Sequence, residues 1–266
     1  MSFISCRSVA LLGSQGLDPD TILWRDAVMA NSGTVSTSSI SAFDNFFKGL
    51  KADLLWPKIV DMGAFVGVGN LNAAMVKLKT APSVSRILTN TNFVGGDYTP
   101  TGASAGLLGN GTSKKLGTNY APSSANNTNL SYGFYLTNAM NNLVMGARNG
   151  SVLQAGDAAG EHFHFGSARV NLVAAPASGG LFSGSGSASN SKGFVNGSLN
   201  ASLGSGATNG GSTTDWTIFT NRAGIAGESN SRPTFYFTAT VFSDAEQLLF
   251  SNRVNALMTA FGANKY

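Results

Sequence analysis

The rhythm of apolar positions changes once along this chain, near residue 92. Before that point it is helical. Ile40, Phe43, Phe47, Leu50 and Leu54 recur three and four residues apart, which gathers them on one face of a helix capped by Ser38. Trp56-Pro57 should stop that helix, because proline disfavours helical geometry in the residue before it. A shorter helix is expected over residues 20–29, closing at Asn31-Ser32-Gly33. Beyond residue 92, short alternating segments are separated by Gly, Ser, Thr and Asn clusters, the grammar of strands and turns. Such segments fall at 132–136, 143–145, 170–173, 193–195 and 216–219. The clearest, 234–242, is aromatic and β-branched and should put Phe235, Phe237, Ala239 and Val241 on its core face. Ser243-Asp244-Ala245-Glu246 then forms a capping box that opens a helix carrying Phe250, Val254, Leu257 and Phe261, with Gly262 at its end. The stretches 183–191 and 204–214 read as long loops, and Gly179-Gly180 and Gly184-Ser185-Gly186 as turns.

These elements predict a mainly β protein. An antiparallel β-sandwich with a C-terminal helix is expected over 93–266, after a helical lead-in over 1–92 that docks to a neighbour. The length of 266 residues suits one sandwich with extensions. Charged residues make up 11%, against about 25% in an ordinary domain, so the surface is neutral and turn-rich. The net charge of +4 is scattered and forms no basic stripe, so no nucleic-acid partner is expected. No apolar run approaches the roughly 18 residues of a membrane span, and residues 9–12 are too short for a secretory signal. Cys6 is the only cysteine, which excludes an internal disulfide and a cysteine metal cluster. Sequons at Asn110, Asn126, Asn129, Asn149, Asn196 and Asn200 read as turn chemistry.

Three stretches in fixed order carry a family likeness. They are Gly109-Asn110-Gly111-Thr112 with Tyr120-Ala121-Pro122-Ser123, then Lys192-Gly193-Phe194-Val195-Asn196-Gly197-Ser198. The third is the strand at 235–242 with Ser243-Asp244-Ala245-Glu246 and Val254-Asn255-Ala256-Leu257. Together they resemble the concanavalin A-like (laminin-G-like) jelly-roll modules of bacteriophage and prophage virion proteins. Leu55-Trp56-Pro57-Lys58 with Phe65-Val66-Gly67 looks like the helical lead-in of those proteins. The resemblance implies a non-enzymatic virion structural protein, a capsid decoration, head or tail appendage. Its partners would be other virion proteins and itself as a homo-oligomer, and its location the phage particle. A fold does not by itself assign a ligand.

Glu161-His162-Phe163-His164 places two histidines on one side of a strand, but two ligands are too few for a metal, and none is expected. No dense acidic loop supports calcium at Asp97, Asp157 or Asp215. The Glu-x-Asp-x-x-Glu strand that a glucanase of this fold would need is missing, and Asp215 and Glu228 make no paired carboxylate. No catalytic residue and no cofactor are therefore expected. A cell-surface glycan is the alternative ligand. It would need an exposed aromatic face with neighbouring polar groups, and Trp216, Tyr98, Tyr120, Asn221 and Arg222 are the candidates. A glycoside hydrolase ranks third.

Overall fold

The computed structural model describes residues 16–121, 129–140, 144–149, 151–157, 160–165, 168–173, 178–204, 215–220 and 229–266. Cys6, residues 9–12, Pro122-Ser123, Asn126, Leu143, residues 205–214, Asn221, Arg222 and Glu228 lie outside them.

Asp18 opens helix α1 (Pro19–Ala30) by accepting the Asp20 N–H at 2.9 Å. Ser36, rather than Ser38, opens α2 (Thr37–Ala52), its Oγ accepting the Ser39 N–H at 3.1 Å. Phe43, Phe47 and Leu50 are buried along α2 as their spacing requires. Leu54 is not: α2 has already ended, Leu54 takes a φ of +58°, and it is 76% exposed. A short helix, α3 (Leu71–Ala74), follows, and α4 (Asp244–Ala260) lies near the C-terminus.

Fifteen strands are described. Those of the first half are β1 (Ile59–Ala64), β2 (Thr89–Thr91), β3 (Tyr98–Thr99), β4 (Gly106–Leu107), β5 (Lys115–Gly117), β6 (Leu130–Leu136) and β7 (Met145–Asn149). Then come β8 (Ser151–Asp157), β9 (Gly160–Phe165), β10 (Ala168–Asn171), β11 (Gly180–Gly186), β12 (Ser191–Val195), β13 (Ser198–Leu203), β14 (Thr217–Ile218) and β15 (Pro233–Thr240). Six of them form one antiparallel sheet in the order β1-β15-β6-β11-β12-β13. Seven form the opposing antiparallel sheet, β10-β9-β8-β7-β14-β5-β2, and β3 pairs with β4 as a small ribbon. The fold is a mainly β antiparallel sandwich with N-terminal and C-terminal helices.

The six-stranded sheet is covered on both faces. On one, Tyr132 meets Phe163, Phe165 and Trp216 of the opposing sheet at ring separations of 5.3, 5.3 and 4.9 Å. On the other, Phe235 packs against Phe46 of α2 and Phe250 of α4, and Phe237 lies 4.4 Å from Phe250. Burial on both sides explains why β6, β11 and β15 are buried almost throughout, without the in-out alternation of a one-sided sheet. It also locates the face expected of β15: Phe235, Phe237 and Ala239 are buried in the core, with Phe235 and Phe237 facing the helices, while Tyr236 points between the sheets. Val241 lies past the strand and is only half-buried.

Two further expectations are corrected. Residues 183–186, read as loop and turn, belong to the interior of β11. There Gly184 and Gly186 leave space for Phe163 and Phe165: a Cβ at either glycine would stand 2.8 Å or less from a ring atom. The division at residue 92 also has no counterpart in the packing. Residues 59–64 are a strand of the six-stranded sheet, residues 89–91 a strand of the other, and the aromatic face of α2 is spent on β15 and α4 instead of a neighbouring protein.

Candidate functional site

The residues that carry the family likeness form structural joints. The Asn110 side chain accepts the backbone N–H groups of Thr112, Ser113 and Lys114 at 2.9–3.1 Å and so ties off its loop. Asn196 and Gly197, with φ of +51° and +77°, make the two-residue turn between β12 and β13, a geometry that requires positive φ at both positions. Gly197 sits against α4, where a Cβ would come within 2.6 Å of Ser251 and 3.0 Å of Leu248. The capping box holds as read: Ser243 Oγ accepts the Glu246 N–H at 3.3 Å, and Glu246 accepts the Ser243 N–H at 2.8 Å. Burial pushes the Glu246 carboxyl up, but bonds from Lys58 and Ser243 outweigh it and leave the group below its ordinary value. The second and third motifs therefore meet in space, the hairpin turn lying on the helix that the box begins.

Beneath α4 runs a buried polar seam. Ser183 Oγ donates to Gln247 Oε1 at 2.8 Å, Gln247 Nε2 donates to Ser185 Oγ at 2.7 Å, and Ser185 Oγ lies 2.6 Å from Ser131 Oγ. Ser131 Oγ also accepts the Phe242 N–H at 2.8 Å. The side chains satisfy one another, which makes the seam a register mark for the helix.

At the end of this seam a cleft of about 220 Å³ opens between the β11–β12 connection and the start of α4. Polar side chains line it together with Val241 and Phe242. Lys192 donates to both oxygens of Asp244 at 2.7 and 2.8 Å. Ser187 Oγ bonds the backbone N–H and C=O of Asn190 at 3.2 and 3.1 Å. Asn190 Oδ1 is shielded and has no hydrogen-bond partner among the described residues. Hydroxyls, an amide and one compensated ion pair suit a neutral ligand rich in hydroxyl groups better than a strongly charged one. A second groove, about 190 Å³ and mostly apolar, lies between Ala42 and Phe46 of α2 and Arg253, Leu257 and Ala260 of α4.

The aromatic candidates read from the sequence do not meet at this cleft. Trp216 is fully buried against Tyr132. Tyr98 is 8% exposed, and its hydroxyl bonds the backbone N–H and C=O of Val68 at 3.3 and 2.8 Å. That burial raises the phenol well above its ordinary value. Tyr120 is also 8% exposed and meets Trp216 through its backbone carbonyl, which accepts the Trp216 N–H at 2.8 Å. None of the three offers an open ring face. Asn221 and Arg222 fall outside the described residues.

His162 and His164 do share a side of β9, their rings edge-to-face at 4.7 Å. The Arg169 guanidinium lies 3.3 Å from His162 Nδ1, a setting that opposes a metal cation. Among the described residues no group of three or more His, Cys, Asp or Glu could hold a metal ion, and no helix is long and apolar enough to cross a membrane. The polar cleft was missed in the sequence because Lys192 and Asp244 lie 52 residues apart and meet only when β12 and α4 pack.

No family model and no curated protein matches the chain. Solved structures with a similar course include a mutant of Trypanosoma rangeli sialidase displaying trans-sialidase activity. It is 12% identical over 82% of this chain and 39% of its own, with a TM-score of 0.49. Another is domain 4 of an extracellular arabinanase from Geobacillus stearothermophilus in complex with arabinotriose, 12% identical over 73% of this chain and 98% of its own, with a TM-score of 0.47. The chain thus spans about two fifths of the sialidase, and likenesses this distant transfer no activity to it.

Proposed function

We propose that this chain is a non-catalytic binding and assembly module, a structural component of a phage particle that associates with itself and with other virion proteins. The observation that carries the non-catalytic reading is how the carboxylates are used. Nine of the thirteen acidic residues stand within 2.8 Å of a Lys or Arg nitrogen, most of them joining separate elements, as Asp53 joins Arg253 and Glu246 joins Lys58. Carboxylates neutralised in this way serve as clasps between elements, whereas hydrolysis needs a pair poised across a cleft. The phage setting rests on the resemblance of the three ordered motifs. Imaging of native particles with the protein labelled, together with size-exclusion chromatography of the purified chain, tests it. Particle association and a discrete oligomer are the expected results. A strict monomer absent from particles counts against the proposal, and reducing-sugar release from a polysaccharide overturns its non-catalytic part.

Glycan recognition is the second reading, favoured by the polar cleft and its unpaired Asn190 oxygen. A glycan array should give hits that disappear in Asn190→Ala and Lys192→Ala. An array without hits removes this reading and leaves the assembly role standing.

A further inference from the structure

Lys77 and Asp61 are both fully buried, and Lys77 Nζ donates to Asp61 Oδ2 at 2.6 Å. Asp61 belongs to β1 of the six-stranded sheet. Lys77 lies on the connection from α3 to β2, and its Nζ also donates to the Thr118 carbonyl at 2.7 Å, just past β5 of the opposing sheet. Tyr236 of β15 donates its hydroxyl to the other Asp61 oxygen, Oδ1, at 2.8 Å. Gly63 makes room for this tyrosine, since a Cβ there would stand 2.4 Å from the ring. The amine, the carboxyl and a hydroxyl donor are thus held in contact, away from water.

We propose that Lys77 and Asp61 are joined by an intramolecular isopeptide bond between Nζ and Cγ, formed within the folded chain with the Tyr236 hydroxyl bound to the carbonyl oxygen. Burial drives both groups toward their neutral forms, raising the Asp61 carboxyl and lowering the Lys77 ammonium. The Arg86 guanidinium, anchored on the Lys77 and Leu78 carbonyls at 3.2 and 3.1 Å, further disfavours a second cation. A lysine desolvated beside another cation is a nucleophile. One proton passes from Nζ to Oδ2, leaving an amine and a carboxylic acid. The amine nitrogen attacks Cγ, and negative charge gathers on Oδ1, where the Tyr236 O–H meets it. Oδ2 departs as water, carrying its own proton and one more from Nζ. The Nζ–Cγ bond forms, the Cγ–Oδ2 bond breaks, and no oxidant, cofactor or activated group is consumed. In the product the remaining Nζ–H still has the Thr118 carbonyl and Oδ1 still has Tyr236, while two buried charges have disappeared.

Mass spectrometry of the denatured full-length chain tests this. The expected mass is one water below that of the sequence. Trypsin should fail to cut after Lys77, giving peptide 59–79 one water light, with no backbone fragments separating residue 61 from residue 77. Asp61→Ala and Lys77→Met should restore the full mass. Should either fail to fold, the wild-type digest decides by itself. Tyr236→Phe should remain largely at full mass at the same age. A folded wild-type chain of full mass that trypsin cuts after Lys77 overturns the proposal, as does a water loss that survives Lys77→Met.

Discussion

Gly184 shows how much one hydrogen atom decides in this fold. Its place in β11 looks like loop in the sequence, because glycine and serine surround it and glycine weakens a strand. In the folded chain it is the slot for Phe163 and Phe165 of the opposing sheet. Gly184→Ala should therefore destabilise the protein by about 1–3 kcal/mol through overpacking, read as a lower urea midpoint at unchanged slope. The same one-sidedness misled the aromatic candidates. Trp216 and Tyr98 alternate with polar neighbours as surface residues also do, and sequence alone does not reveal which side is covered. Lys77 and Asp61 left no local trace, since nothing in the spacing between them says that two polar side chains will meet in a core.

Among the elements, the helices were the most legible. Phe43, Phe47 and Leu50 fall on the buried face of α2, and the box at Ser243 and Glu246 starts α4 where its chemistry says it should. Ser243→Ala removes the acceptor for the Glu246 N–H at an end that also borders the polar cleft. It should cost about 1 kcal/mol, measured by denaturant unfolding, without changing the amount of helix once folded. β6 and β15 were visible from their aromatic and β-branched residues. β14 falls within the strand segment expected at 216–219, whereas β11 was not visible, because it is glycine-rich. Phe235, Phe237 and Ala239 of β15 are core residues as their alternation predicts, and helical cover on the outer face buries the other set as well.

For the molecule as a whole, the sandwich was legible and its boundary was not. A fragment of residues 93–266 lacks β1, β2 and α2, one of the two helices that cover Phe235. It should show no cooperative thermal transition by circular dichroism, whereas an independent domain would unfold sharply. Acid should loosen the whole fold. Arg253 holds the Asp53 carboxyl below its ordinary value, and in Asp44 and Asp97 burial is outweighed by bonds from Lys48 and Lys114, with the same net direction. The unfolded chain binds protons more tightly at these groups, so their contribution is complete above about pH 5 and is lost as pH falls through 4 and below. The thermal midpoint should drop over that range, and Asp53→Asn should lower the plateau and flatten part of the drop.

The pairing of β1 with β15 has a temporal side. Ile59 lies beside Ala239, so β1 leaves the ribosome about 180 residues before the segment it pairs with. Until then α2 has neither Phe235 nor α4 to cover its phenylalanines, and a long-range pairing of this kind closes slowly. Over that interval the nascent chain carries an aromatic helix covered only by the nearby Trp24 and Trp56, and it is then that the protein is most open to aggregation and most in need of a chaperone.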